Sequence, residues 1–235
     1  MTAPAPVEDL APTGVLRAVV NLGNPVLAQG TPDAPAGVTV DLARELADRL
    51  GVPVHLTCVD AARDSFAAVR DGLVDVGFLA AEPQRAEHVV FTDPYVLIEG
   101  VYAVPASSSL RRADDVDAPG VRIGVKEGSA YDLALTRTLR HARIVRGAEG
   151  TAVLEAGAAD VAAGIRQPLV RWAEARGRTT ILEPRFTEIR QAVATGRERP
   201  RHAVAWLREN LADLVASGFV ADALAASGQD ATVAS

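Results

Sequence analysis

Between Gly72 and Tyr95 the chain reads Gly-Leu-Val-Asp-Val-Gly-Phe-Leu-Ala-Ala-Glu-Pro-Gln-Arg-Ala-Glu-His-Val-Val-Phe-Thr-Asp-Pro-Tyr, an order few folds accept. Leu73 to Leu79 is a short apolar run bounded by glycine, the signature of a strand covered on both faces. Small residues follow, and Pro83 opens a helical turn at the position where its missing N–H costs nothing. The exit to Tyr95 is extended. A strand of this kind needs parallel neighbours.

The rest of the chain supplies them. Val15 to Asn21 is an apolar run suited to an interior parallel strand. Val40 to Leu50 places apolar residues at helical spacing, with Thr39 as the expected cap and Gly51 as the stop. Val52 to Val59 predicts a strand and Asp64 to Asp71 a helix, so a β-α-β-α-β series closes at Leu79. A second series starts at Pro119 to Val125. Ser129-Ala130-Tyr131-Asp132 is a capping-box pattern ahead of the apolar face Leu133, Leu135 and Leu139. Strands at Ala142 to Val145 and Asp160 to Ala163 alternate with helices at Thr151 to Ala156 and Pro168 to Arg176. Val96 to Val104, apolar except for Glu99 and Gly100 and stopped by Pro105, joins the two series. Ile189 to Ala194 returns, and helices Arg199 to Leu214 and Phe219 to Ala226 follow. Strands alternating with helices imply parallel sheets with helices on both faces, an α/β chain.

Composition removes several function classes. The 235 residues carry a net charge of −6 and no basic block, and aromatics are 4%, so nucleic acid is not an expected partner. Cys58 is the one cysteine, which excludes an internal disulfide, and it is expected as a small buried hydrophobe. His55, His88, His141 and His202 are scattered without metal spacing, so neither a metal nor another cofactor is expected. There is no G-x-S-x-G elbow, P-loop or G-x-G-x-x-G fingerprint. Met1 to Thr13 is Pro- and Ala-rich and acidic, unlike a secretory leader. As written the chain is expected in the cytoplasm, or in the periplasm or outside the cell if a leader has been removed.

The Gly72–Tyr95 stretch resembles the family 3 extracellular solute-binding proteins, the polar amino-acid type of ABC-transporter substrate-binding protein. Asp75, Pro83, Arg85, Phe91, Thr92, Pro94 and Tyr95 carry the likeness, and the order of elements extends it over nearly the whole chain. The resemblance implies the periplasmic binding protein type 2 fold: two lobes, each a mostly parallel sheet with flanking helices, joined by two crossing hinge strands. Lobe 1 would be discontinuous, 1–104 plus 190–235, and lobe 2 would span 105–189. It further implies a monomer that closes both lobes on a small molecule, with an ABC permease as partner if the chain is exported.

By the same resemblance, Arg85 clamps a ligand carboxylate. Its planar, always charged fork suits that task; the alternative is a surface ion pair with Glu82 or Glu87. Gly128, Ser129, Ala130 and Tyr131 form the lobe-2 counterpart, where a helix start offers backbone N–H groups to an anion. Capping alone would equally explain Ser129. Family hydroxyls are missing along Phe78-Leu79-Ala80-Ala81, which leaves backbone atoms such as those of Ala80. The usual aromatic of the first loop is replaced by Asn21-Leu22-Gly23-Asn24-Pro25, where Asn21 reads as a turn former and Asn24 as a ligand contact. Ile165 stands where amino-acid binders of this family place an aspartate against the α-ammonium, and Arg166 adjoins it. A buried ammonium with no carboxylate is costly. Lys126 and Arg166 either face the ligand or point to solvent, and Glu99 either offsets these cations or lies exposed. Together these residues predict a small anionic ligand, a carboxylate or dicarboxylate that is not an ordinary α-amino acid. Cyclohexadienyl or arogenate dehydratases resemble the same scaffold, but their general-acid position falls on Pro168, which has no proton to give. Binding rather than catalysis is expected.

Overall fold

The computed structural model describes residues 5–234, so the first four residues of the Pro- and Ala-rich start lie outside it. One helical turn, α1 (Val7–Leu10), precedes β1 (Leu16–Asn21). A hairpin of β2 (Gln29–Thr31) and β3 (Ala34–Ala36) follows, then α2 (Val38–Leu50), β4 (Val54–Val59), α3 (Ala62–Arg70), β5 (Val76–Ala80) and the short α4 (Pro83–Ala86). The long β6 (Val89–Pro105) leads to β7 (Arg122–Lys126), α5 (Ala130–Thr138), β8 (Arg143–Gly147), α6 (Gly150–Glu155), β9 (Val161–Ile165) and α7 (Arg166–Arg176). The equally long β10 (Thr179–Gly196) returns to α8 (Arg201–Ala216), α9 (Phe219–Ala226) and β11 (Thr232–Val233). No helix of the described residues is long and apolar enough to cross a membrane.

The chain divides into two units, Met1–Leu97 with Arg190–Ser235, and Ile98–Ile189. The first boundary lies within β6 at Leu97/Ile98, whereas the sequence reading set it at Pro105, where the apolar run stops. A strand that serves both units gives no local sequence signal where it passes from one to the other.

In unit 1 the strand order is β4-β1-β5-β10. β1 pairs in parallel with β4 from Leu16↔Val54 to Asn21↔Val59 and with β5 at Ala18↔Val76, while β10 runs antiparallel to β5. β11 adds to β6 at Thr232↔Leu97. Every residue of β5 is buried. α2 buries Leu42, Leu46 and Leu50 along one face, each contributing about 2 kcal/mol. On α3, Ala68 and Val69 pack with Val19, Leu79, Val89 and Ala194. Gly77 permits this approach, since a Cβ there would lie 2.6 Å from Val69 Cγ2.

Three local expectations are corrected. Gly37 precedes α2 without a side-chain cap, because Thr39 lies inside the helix and donates its hydroxyl to the Leu27 carbonyl at 3.1 Å. The stop at Gly51 is present, with the left-handed conformation (φ 73°) that glycine tolerates. Leu73 is 67% exposed, and β5 begins only at Val76, because the Gly72–Asp75 segment is turned toward Arg17. Cys58 is half-buried rather than fully buried.

In unit 2 the order is β6-β9-β7-β8. β7 pairs in parallel with β8 (Arg122↔Arg143) and β9 (Ile123↔Val161), and β6 is antiparallel to β9, with Gly100 opposite Ile165. Val101, Ala103, Ala162 and Leu169 form its core, with Leu154, Trp172 and Ile181 packed around them.

Candidate functional site

In open α/β sheets ligands bind beyond the carboxyl ends of the parallel strands. The residues singled out from the sequence fall at such ends in both units.

In unit 1, β1 ends at Asn21 and turns at once. Asn21 Oδ1 accepts the Gly23 N–H at 3.0 Å, and Asn24 Oδ1 accepts that of Val26 at 3.3 Å. The Asn24 carbonyl then accepts the N–H groups of Leu27 and Ala28, both at 3.0 Å. Asn24 is buried at 7% exposure. Its oxygen therefore forms the turn, the role expected of Asn21 alone. Gly23 has no room for a side chain, since a Cβ would stand 1.9 Å from the Asp60 carbonyl oxygen.

β5 ends at Ala80, and Pro83 starts α4 three residues later, which sends Arg85 back along the strand end. Arg85 is only 3% exposed, and its Nη1 donates to the Ala80 carbonyl at 3.3 Å. Arg85 is thus not at the surface, although Glu82, one of the two partners weighed for it, is buried too and acts on its charge. Burial, partly offset by Glu82, pulls the guanidinium down to about 10, so it remains charged at neutral pH. Around it the wall of Phe78, Leu79 and Ala80 is buried and apolar.

In unit 2, β7 ends at Lys126. Ser129 caps α5, its Oγ accepting the Asp132 N–H at 3.1 Å while Asp132 Oδ2 accepts the Gly128 N–H at 2.9 Å. The Ser129 half of the expected capping box is present, but the return bond is displaced: Asp132 accepts the N–H of Gly128, while that of Ser129 goes to the Lys126 carbonyl. Asp132, almost fully buried, is also paired with Arg146 at 2.9 Å. The N–H groups of Ala130 and Tyr131 fall in the first turn, where a helix has no internal acceptors for them. Ala130 and Tyr131 are both buried, and burial pushes the Tyr131 hydroxyl above its ordinary value. The Lys126 ammonium meets Glu149 at 2.6 Å; Lys126 is 17% exposed and Glu149 53%.

β9 ends at Ile165, which immediately precedes α7. Arg166, the first residue of that helix, donates Nε to Glu99 and its two Nη groups to Glu183 at 2.5 and 2.9 Å. Arg185 approaches the other oxygen of Glu99 at 2.9 Å. Burial works against the Glu99 charge, but the two guanidinium groups outweigh it and hold the carboxyl below its usual range. Of the two readings of Glu99, offset to the cations is what the geometry shows. Sequence reasoning missed Glu183 and Arg185. Their spacing of two on a strand, which puts both on one face, was the available signal. Pro168 lies in the first turn of α7. Among the described residues no three His, Cys, Asp or Glu side chains are placed to hold a metal ion.

The fold has many solved relatives. The L-cysteine solute receptor of Neisseria gonorrhoeae superposes with a TM-score of 0.79 at 21% identity, covering 94% of this chain and 92% of that one. A putative ABC-transporter binding component from Wolinella succinogenes, complexed with lysine, gives 0.72 at 22% identity, covering 90% and 94%. AncCDT-1, an ancestral amino-acid-binding protein described as a precursor of cyclohexadienyl dehydratase, gives 0.72 at 22%, covering 93% and 96%. At these identities the likeness establishes the two-lobed periplasmic binding protein fold. No curated protein matches this chain. The model of the bacterial extracellular solute-binding proteins, family 3, matches residues 17–226, and with the strand ends described above it places this chain in that family.

Proposed function

We propose that this solute-binding protein takes a small carboxylate-bearing ligand that lacks a free α-ammonium. Arg85 of unit 1 receives the carboxylate. The observation that carries the reading is Ile165. At the end of β9, beside an arginine already committed to two carboxylates, it offers no negative charge to an ammonium. The apolar wall of Phe78, Leu79 and Ala80 suits a hydrocarbon part of the ligand rather than polar groups.

The cations Lys126 and Arg166 are both engaged by carboxylates, which favours a single ligand carboxylate over two. Binding rather than dehydration fits Pro168, which cannot protonate a leaving hydroxyl. The amino acids bound by the solved relatives are the natural competitors for this reading.

The test is a thermal-shift and calorimetric comparison of matched pairs: L-alanine with propionate, L-phenylalanine with 3-phenylpropionate, L-glutamate with glutarate. A ligand that binds only the folded state raises the melting temperature. Stabilisation by an amine-free acid, lost in Arg85→Ala, is expected. Tighter binding of the amino acid in every responsive pair would overturn the proposal.

A further inference from the structure

The densest charge cluster of unit 2 surrounds the end of β9. It joins Glu99 of β6, Arg166 of α7, and Glu183, Arg185 and Glu188 of β10. Arg166 directs Nε, Nη1 and Nη2 at carboxylate oxygens, and both oxygens of Glu99 face a guanidinium. Glu99 adjoins Gly100, the strand partner of Ile165. Alternation along β6 sends Glu99 to the face opposite Gly100. Arg166, next in the chain after Ile165, nevertheless draws that carboxylate to the carboxyl end of β9. Unit 2 thus does hold a carboxylate at this strand end, and holds it neutralised.

We infer that Arg166 is a specificity-determining residue that keeps Glu99 from accepting a ligand ammonium. Discrimination against α-amino acids then comes from an internal cation occupying the carboxylate, as well as from the missing acid at Ile165. The inference rests on the reading that the ligand has no free α-ammonium. Its chemistry is plain. With a guanidinium at each of its oxygens, Glu99 has no surplus negative charge for a third cation, and the fixed positive charge of Arg166 repels one. With Arg166 removed, Glu99 keeps Arg185, Glu183 loses the guanidinium that held both its oxygens, and the cluster has one positive charge fewer.

The experiment compares wild type, Arg166→Gln, Arg166→Gln/Arg185→Gln and Arg166→Gln/Glu99→Gln by calorimetry and thermal shift, against L-alanine, L-phenylalanine, L-glutamate and their amine-free counterparts. Arg166→Gln, and more so the variant lacking both arginines, should bind at least one amino acid about tenfold tighter than wild type. The gain should vanish when Glu99 is also replaced. No gain in either arginine variant overturns the inference, as does a gain that survives Glu99→Gln. If wild type rejects the amino acids and the arginine variants still do, the inference alone fails. If wild type already prefers them, the amine-free reading fails with it. Should Arg166→Gln not melt cooperatively, Arg166→Met carries the same test, because it keeps an apolar stem of similar length while removing the positive charge, and no gain there is equally decisive.

Discussion

Arg17 binds Asp75 three times, through its backbone N–H at 2.9 Å, Nε at 3.0 Å and Nη2 at 2.8 Å. Arg122 binds Asp160 in unit 2 by the same three kinds of contact, at 2.9, 3.1 and 2.7 Å. Each arginine also donates to a glycine carbonyl, Gly72 or Gly157, and both glycines have positive φ, 69° and 71°. The aspartate N–H returns to the arginine carbonyl at 2.8 Å in both. A Gly-x-x-Asp segment clamped by the arginine of the first strand is therefore an internal repeat, and it sets where β5 and β9 enter their sheets. The repeat continues at the other end of the first strand, where Asn24 and Ser129 each donate their N–H three residues back, to Asn21 and Lys126. At this turn the units differ in the N–H groups left open. Pro25 removes one N–H from the unit 1 turn and Asn24 occupies the next, whereas Ala130 and Tyr131 keep both in unit 2.

The two clamps should differ in stability. Asp75 is fully buried and also receives Arg199 at 2.6 Å, while Asp160 is 43% exposed and has Arg122 alone. Removing one partner of a buried pair leaves uncompensated charge and costs about 3–5 kcal/mol. Urea denaturation should show a loss of that order for Asp75→Ala and a clearly smaller one for Asp160→Ala.

The acid limb of stability should follow the same residues. Asp75 pays a burial cost, but Arg17 and Arg199 outweigh it and leave its carboxyl below the ordinary range; Arg122 lowers Asp160. A carboxylate with a depressed folded value stabilises fully above its unfolded value, about 4, and that stability disappears as pH falls through the lower folded value. Urea midpoints between pH 6 and pH 2 should fall steeply in wild type, and less steeply in Asp75→Asn, which starts lower.

Gly150→Ala should destabilise unit 2 by about 1–3 kcal/mol, the cost of overpacking. A Cβ there would lie 2.5 Å from the Gly124 carbonyl oxygen and 2.7 Å from that of Ala163, backbone atoms with nowhere to move. Gly120→Ala is the contrasting control for space, since nothing lies within 4 Å of its Cβ, although its φ of 87° carries a backbone cost of its own. Thermal melts of both variants separate crowding from conformation.

Ser129→Ala should lose about 1 kcal/mol through the missing cap, while the N–H groups of Ala130 and Tyr131 stay in place. A ligand that uses those N–H groups should bind Ser129→Ala with little loss, and a carboxylate held by Arg85 should lose binding in Arg85→Ala. Calorimetry with a ligand identified by the matched-pair comparison measures both.

The sequence by itself determined the order of strands and helices, the parallel sheets, the Ser129 cap of α5, the stop at Gly51 and the family motif around Arg85. All of these depend on residues close in the chain, where periodicity, glycine and proline act directly on the backbone. The tertiary structure decided what each polar side chain does with its charge. Arg85 proved buried because Pro83 turns it back along the end of β5. Asn24 closed its own turn, Lys126 met Glu149, and Glu99 was claimed by Arg166 and Arg185. The last two outcomes depend on partners 23 to 86 residues away, and pairing across such distances is fixed by strand register, which no local pattern encodes.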